Sequence, residues 1–269
     1  MAVTHFIRTV WSKSILDKLQ VSCKLVNNCH REYEGDCKYA GSVKILGVGE
    51  PTVGDYKGTD ITVEDMSDTS QLLNIDQAKY FAFYVDDVDK AQSQEGLPEK
   101  FQEKSVQKLA VARDSYVAGL IKGVTSNVTV AEELSDTGVK NAIDEAIVAL
   151  RERNFDEEGV IEITPVVYNK FKNNLITLST DNPDYIKRGI VGMYDGFEVV
   201  MSNNLAKDDT YAYCDIRGKK AIAFAGQLQE VKAHEAEKRF ADIVKGLDVY
   251  GAKVIDEDRI QVIKVPLGA

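Results

Sequence analysis

The sequence predicts an α+β fold, in which helices and strands alternate without the regular strand–helix–strand rhythm of a parallel sheet. Three observations support this prediction: two long runs with helical periodicity, a strand-like excursion before them, and a strand-rich region after them. The chain has 269 residues, of which 44% are hydrophobic and 28% charged, so it can bury a sizeable core.

Residues 1–36 predict an N-terminal arm. Its apolar residues recur at helical spacing only as far as Leu19, and polar sequence follows. Residues 1–44 carry a net charge of +3, whereas the whole chain carries −10. We therefore expect a mildly basic arm with too little apolar surface to fold alone, which would need a surface to dock on. The alternative is a solvated terminal segment. The apolar residues of the predicted helix are Val10, Trp11, Ile15, Leu16 and Leu19.

Residues 37–85 predict a long two-stranded excursion with a polar tip. Residues 42–46 alternate like a strand, glycines and Pro51 follow, and residues 71–75 and 79–85 are rich in β-branched and aromatic residues. Residues 44–70 contain two basic and six acidic residues. A two-stranded ribbon is marginally stable alone in water, so we expect another molecule to support it.

Three helices are predicted in the middle of the chain. The first spans about 97–122 and would be roughly 35–40 Å long. The second spans about 137–153, with Ser135, Asp136 or Thr137 as its cap, and the third begins at Thr164-Pro165 and ends near residue 173. The buried stripe predicted for the first helix comprises Phe101, Leu109, Ala112, Tyr116 and Leu120, with Val106, Ala110, Val117 and Ile121 beside it.

Short strands are predicted around these helices and at the C-terminal end. Residues 190–194 and 197–201 form a predicted hairpin around an Asp195-Gly196 turn. Residues 220–224 fit either a helix or a strand. The other predicted strands are 160–163, 210–216, 228–234, 247–254 and 259–265.

The sequence carries no recognisable catalytic or cofactor motif. Its three histidines, His5, His30 and His234, form no zinc-protease motif, and Gly47-Val-Gly49 lacks the context of a nucleotide-binding loop and fits a turn at a strand end. No catalytic, cofactor-binding or metal residue is therefore assigned. Asn127-Val-Thr129 matches a glycosylation sequon, and Asp86-Asp87-Val88-Asp89 fits a solvated acidic turn better than a calcium loop.

The four cysteines fit free thiols better than a metal site. Cys23, Cys29 and Cys37 lie close together in sequence, but their spacing lacks the paired ligands of a zinc site, and Cys214 is remote. Free thiols indicate a reducing compartment. No stretch approaches the roughly 20 apolar residues of a membrane span, and Met1 to Val10 lack a secretory apolar region. We expect a protein made in a cytoplasm, with no membrane partner.

Two segments resemble a known family. Residues 73–92 (LNIDQAKYFAFYVDDVDKAQ) look like its run from the extended loop into the spine helix, and residues 239–254 (RFADIVKGLDVYGAKV) look like its closing strands, with Gly246 and Tyr250-Gly251-Ala252-Lys253 most characteristic. The family is the major capsid (coat) protein of tailed bacteriophages, which has the Hong Kong 97-like phage capsid fold. The resemblance covers almost the whole chain.

This resemblance implies a domain order. It comprises an N-terminal arm (1–36), an extended loop (37–85), a peripheral domain with the spine helix (86–129), an axial domain (130–225) and C-terminal strands of the peripheral domain (226–269). In some relatives a lysine and an asparagine of neighbouring subunits form a cross-link. By position Lys44 or Lys57 are candidate donors, with no partner assigned.

The resemblance also implies a role and partners. The chain would self-assemble through hexamers and pentamers into an icosahedral head shell around double-stranded DNA. No coiled scaffolding segment precedes the arm, so we expect a separate scaffolding protein, together with a portal. The acidic body favours weak, non-specific DNA contact. We expect it in the virion, after assembly in the host cytoplasm.

Two alternatives remain at this point. Within the same fold, the chain could be an encapsulin-like shell protein of a cellular compartment, which would hold an enzyme cargo. From a different class, it could be a soluble α+β enzyme without known motifs.

Overall fold

The computed structural model describes residues 18–19, 22–33, 41–48, 68–86, 97–172, 190–235 and 241–267. Within these ranges helices and strands are mixed, as the predicted α+β class requires. The main helices are α1 (Leu97–Gly123), α2 (Asp136–Glu152) and α3 (Pro165–Phe171). Among the described residues, no helix is both long and apolar enough to cross a membrane.

The described strands form three sheets. β1 and β2 pair alone, β3, β10 and β9 form a three-stranded antiparallel sheet, and the six-stranded sheet has the order β4-β11-β8-β5-β7-β6. The strands are β1 (Ser42–Val48), β2 (Asp68–Asn74), β3 (Gln77–Asp86), β4 (Val128–Val130), β5 (Gly159–Ile163), β6 (Ile190–Tyr194), β7 (Phe197–Met201), β8 (Tyr211–Gly218), β9 (Ile222–Glu235), β10 (Ala241–Val254) and β11 (Ile260–Pro266).

Local sequence signals placed several element boundaries correctly. The Ser135 side chain accepts a hydrogen bond from Gly138 N (2.9 Å) at the start of α2, and the Thr164 hydroxyl caps α3, whose first residue is Pro165. The β6–β7 hairpin turns at Asp195 and Gly196, which both have positive φ (47° and 86°). These positive angles are those of the tight turn that Asp-Gly predicts.

The six-stranded sheet is covered on both faces. One face packs against α2 and α3 through residues such as Ile161, Ile216 and Ile263. The opposite face carries Ile260 and Val262, which belong to the cluster formed with α1. Every residue of β5 is buried, because strands covered on both faces have no solvated side.

The buried stripe of α1 differs from the predicted one. Leu109 is buried as predicted, whereas Phe101 is half-exposed and Tyr116 is only partly buried. The residues predicted beside the stripe are all buried: Val106, Ala110, Val117 and Ile121. The buried face also includes two charged residues, Arg113 and Asp114. A search for apolar periodicity gives such positions to the solvent face.

Two long strands replace shorter predicted elements. Residues 222–235 form one strand, so the segment 220–224 is not helical and joins the predicted strand 228–234. The predicted strand 247–254 is the second half of β10, which begins at Ala241. β10 lies between β3 and β9, and its central position supports its length.

Strand pairing joins segments that are far apart in the sequence. β3 lies within the segment 37–85, but it pairs with β10 and not with the ribbon β1–β2. β11 lies within 226–269, but it joins β8 and β4 in the six-stranded sheet. Local sequence patterns predict strands, but they do not predict which strands far apart in the sequence will pair.

Leu109→Ala should lower the free energy of unfolding by about 2–5 kcal/mol, because it leaves a cavity under α1. The control Lys104→Ala removes an exposed side chain of the same helix and should cost under about 0.5 kcal/mol. Urea denaturation of the unassembled chain, followed by circular dichroism, measures both. Equal losses would contradict the burial of this helix face.

Candidate functional site

Residues 22–30 pass between α1 and the six-stranded sheet, and most of their side chains are buried or partly buried. Leu25, Val26 and Cys29 are buried in the core with α1 residues, as are Leu19 and Cys23 just before them. The sequence predicts an arm with too little apolar surface to fold alone, and this part of it docks within the core of the chain itself. Its apolar residues are too few to show a pattern, and their burial depends on partners elsewhere in the chain. We call residues 22–30 the docked segment.

Asp114 of α1 holds the backbone of the docked segment. Its carboxylate accepts hydrogen bonds from the N–H groups of Lys24, Leu25 and Val26 at 3.0, 3.1 and 3.2 Å, and from the Asn204 side chain at 3.0 Å. Burial raises the pKa of Asp114, although the hydrogen bonds act in the opposite direction. The carboxylate satisfies N–H groups that would otherwise be buried without partners.

Arg217 of β8 holds the same segment from the sheet side. Its fully buried guanidinium donates to the carbonyl oxygens of Leu25 (3.1 Å) and Asn28 (2.9 Å). It also donates to Glu162 Oε1 (2.8 Å) and Asp215 Oδ2 (3.0 Å). Burial alone would lower the pKa of Arg217, but the neighbouring carboxylates outweigh burial and raise it, so the guanidinium keeps its charge.

Glu162 and Asp215 face each other across the pair of strands β5 and β8. They are directly opposite in the antiparallel register, and both side chains are fully buried. Asn28 donates to Glu162 Oε1 (2.8 Å), which ties the docked segment to this pair as well. Glu162 Oε2 and Asp215 Oδ1 have no partner among the described residues. Burial, followed by the charge of Glu162, raises the pKa of Asp215 well above its ordinary value.

A second buried ion pair joins α1 to the three-stranded sheet. Arg113 donates from two guanidinium nitrogens to Asp248 of β10, with Nε to Oδ2 at 2.8 Å. The guanidinium carbon lies 5.5 Å from the centre of the Phe224 ring and 5.8 Å from that of Tyr250. This two-pronged pair fixes the position of β10 against the helix.

The three-stranded sheet has an exposed face that carries large aromatic and aliphatic side chains. Tyr80 and Tyr84 of the edge strand β3 are 78% and 61% exposed, and Leu247, directly opposite Tyr80, is 36% exposed. The other face of β3 packs Phe81 and Phe83 against the core. An exposed aromatic patch beside an unpaired strand edge is typical of a protein–protein contact.

The ribbon β1–β2 is anchored only near one end in the described residues. Leu73 and Ile45 are buried against Ala223 and Ala225 of β9, and Gln71 donates to Ile255 O (3.2 Å). The pairing continues as far as Val48 and Asp68, after which residues 49–67 lie outside the described residues. The two strands therefore remain paired beyond the residues that attach the ribbon to the core.

Similarity to solved structures places this fold among phage capsids. A structure from Mycobacterium phage Che8 is 26% identical, with a TM-score of 0.69, over 89% of this chain and 90% of that one. The capsid structure of cyanophage P-SCSP1u is 16% identical, with a TM-score of 0.66, over 88% and 86% of the two chains. The mature capsid of bacteriophage PhiM1 is 14% identical, with a TM-score of 0.65, over 92% and 88%. The chain has the phage capsid fold.

The likeness was found by comparing structures. No family model and no curated protein sequence matches the chain. The structural likeness confirms the resemblance predicted from residues 73–92 and 239–254. The structure gives a physical reason for two characteristic glycines of that region. A Cβ at Gly246 would lie 2.6 Å from the Phe81 ring, and one at Gly251 would collide with the carbonyl oxygen of Asn74. Both positions admit only glycine without local movement.

The capsid fold buries three of the four cysteines as free thiols. Burial raises the pKa of Cys23 to about 12, of Cys29 to about 11 and of Cys214 to about 12, so none is a reactive thiolate. Cys37 lies outside the described residues. Within the described part of the chain, no group of three or more histidine, cysteine, aspartate or glutamate residues could hold a metal.

The structure leaves the other sequence candidates apart from one another. His30 pairs with Glu32 (3.3 Å) and forms a bridge to Ala223, and Asn127 donates to a backbone carbonyl. Gly47 belongs to β1, Asp86 ends β3, and Lys44 is exposed on β1. His5, Gly49, Lys57, Asp87 and Asp89 lie outside the described residues, and nothing is described of the His234 side chain.

The charged residues that hold the docked segment were missed by the sequence analysis. Glu162 stands within the apolar run 160–163, and Asp215 and Arg217 flank Ile216 in a buried strand. Charges embedded in runs that otherwise look fully buried are the available signal. Such charges are rarely buried without partners, so these positions predict an internal ion pair, but not which residues form it.

Arg217→Met should lower the free energy of unfolding by about 3–5 kcal/mol, because it leaves two buried carboxyl groups without their cation. The matched control is Arg259→Met, which removes a partly exposed arginine from its pairs with Glu157 and Asp256. That change should cost no more than about 1 kcal/mol. Urea denaturation of both variants tests the difference, and similar costs would refute the importance of the buried cluster.

Proposed function

We propose that this chain is a major capsid protein, which self-assembles into the icosahedral head shell that encloses phage double-stranded DNA. The observation that carries the proposal is the match to the Che8 phage structure over nine tenths of both chains, at 26% identity. The capsids of P-SCSP1u and PhiM1 share the fold over similar lengths.

Two surfaces support assembly. Tyr80, Tyr84 and Leu247 are exposed on one face of the three-stranded sheet, and the strands β1 and β2 form a separate two-stranded ribbon. Both would be costly for a monomer in water and both are suited to contact with a second copy. Their exposure is consistent with a subunit whose remaining contacts are supplied by its neighbours.

The packing of the described elements supports the proposed domain assignment. In the proposed peripheral domain, α1 is the spine helix and packs on the three-stranded sheet. In the proposed axial domain, α2 and α3 pack on the six-stranded sheet, which includes the C-terminal strand β11. The ribbon β1–β2 is the proposed extended loop, and the proposed arm is restricted to residues before the docked segment.

The proposed role is structural and non-catalytic, with self-contacts as the main partnership. Hexamers and pentamers of this chain would form the shell, with a separate scaffolding protein and a portal. The net charge of −10 favours weak contact with packaged DNA, because an acidic body releases few counterions from the duplex. We place assembly in the host cytoplasm and the product in the virion. Phage capsids among the similar structures favour this role over an encapsulin-like compartment.

Expression of the chain with its scaffolding protein should give closed icosahedral particles of one or a few uniform sizes, because the exposed surfaces are then paired. Negative-stain electron microscopy and sedimentation measure this. Particles that co-purify with a protein cargo would favour the encapsulin-like alternative. A compact monomer under all such conditions would contradict shell formation and favour the enzyme alternative.

Replacing residues 49–67 with an Asn-Gly turn should abolish or misshape shells while leaving the subunit folded. Val48 and Asp68 are directly paired, so a two-residue turn can close the ribbon at that point. Circular dichroism with urea denaturation measures folding, and electron microscopy measures assembly. The parent chain is the control for both. Normal shells from the shortened chain would show that these residues are not an intersubunit element, and loss of folding would place them in the core.

A further inference from the structure

We propose that Glu162 and Asp215 share one proton at neutral pH, and that this proton keeps the docked segment seated on Arg217. The site is a buried pair of carboxyl groups, and its protonation affects the position of the docked segment. It rests on the geometry within one subunit and goes beyond the proposed capsid role. It would stand even if shell formation were disproved.

The positions of the two carboxyl groups favour a proton between them. Glu162 and Asp215 are opposite each other on antiparallel strands, where side chains on the same face come into contact. Both are fully buried, and each has one oxygen with no described partner. Two ionised carboxylates in this arrangement would repel each other, whereas a shared proton turns the repulsion into a hydrogen bond and gives both free oxygens a partner.

The charge balance of the surroundings points the same way. Arg217 is the only cation that the described contacts place on the pair, so two ionised carboxylates would leave a net negative charge in the interior. From α1, Asp114 adds a further negative charge near Glu162. From the docked segment, the Cys29 thiol is neutral, and Lys24 donates to Met201 O. Arg113 forms its ion pair with Asp248. An uncompensated buried charge is costly, and protonation removes it.

The proton affects the docked segment because Glu162 and Arg217 contact both the carboxyl pair and this segment. Arg217 bonds the carbonyl oxygens of Leu25 and Asn28, and Glu162 accepts from the Asn28 side chain. If the proton were lost, the two carboxylates would repel each other. Both would then compete for the hydrogen bonds that Arg217 donates. The segment would then loosen, and the thiols of Cys23 and Cys29 would become accessible.

The direction of the pH dependence follows from the raised pKa of Asp215. An acid whose pKa is higher in the folded state does not lower the free energy of unfolding at a pH below its pKa in the unfolded chain, which is near 3.8. As pH rises above that value, the folded state must either hold a proton that the unfolded state has lost or give it up at a cost. This pair therefore makes the subunit less stable with rising pH, until the folded pKa is passed.

The test compares the unassembled full-length chain with its Asp215→Asn variant, both carrying Cys37→Ser. The amide keeps the shape of a protonated carboxyl and cannot titrate. In urea denaturation, the unfolding constant of the parent should rise relative to the variant by up to about tenfold per pH unit above the unfolded pKa. The control Asp256→Asn changes a partly exposed carboxyl beside Arg259 and should follow the parent at every pH.

Thiol labelling reports the docked segment separately. At alkaline pH, Cys23 and Cys29 of the parent should react faster than those of Asp215→Asn, whereas Cys214, buried in β8, reports global unfolding and should stay protected in both. Equal labelling rates in the two chains, or the same pH dependence of unfolding, would overturn the proposal.

A direct spectroscopic test does not depend on the variant being stable. The infrared spectrum of the parent at neutral pH should contain the C=O band of a protonated carboxyl group, and this band should be lost at high pH. Glu162→Gln provides a second variant in which the band should be absent. A parent chain with no such band at neutral pH refutes the shared proton, whatever the outcome of the assembly experiments.

Discussion

The hydrogen bonds of Arg217 are the interaction on which the described core most depends. One fully buried guanidinium joins β8 to β5 through Glu162 and to the docked segment through two backbone carbonyls. A buried cation is tolerated only when its hydrogen bonds are satisfied, so the positions of the sheet and of the docked segment are coupled. Breaking either contact leaves charge without partners in the interior, which makes the arrangement specific as well as stable.

α1 extends this coupling to the rest of the subunit. Asp114 binds the backbone of the docked segment, while the adjacent Arg113 binds Asp248 of β10. Neighbouring residues on one helix therefore hold the N-terminal region on one side and the three-stranded sheet on the other. A helix of 27 residues with two such buried anchors positions elements that are far apart in sequence. This anchored centre contrasts with the aromatic residues Tyr80 and Tyr84 of β3, which are exposed.

A raised pKa at a buried carboxyl group often indicates an active site, but the surroundings of Asp215 indicate a structural role. Asp215, Glu162 and Arg217 are fully buried, and their described partners are a backbone segment and one another. Catalysis requires that a reacting group reach its substrate. The same chemistry here holds chain segments together.

Local signals in the sequence determined the turns, caps and element types. The Asp195-Gly196 turn and the Thr164-Pro165 start of α3 depend on the conformations of those residues alone, and the sequence predicts them correctly. The tertiary structure decided that β11 joins β8, that Cys23 and Cys29 are buried, and that the charged residues Arg113 and Asp114 face the core. These outcomes depend on partners about 50 to 190 residues away, and a buried charge resembles a solvated one until its partner is known.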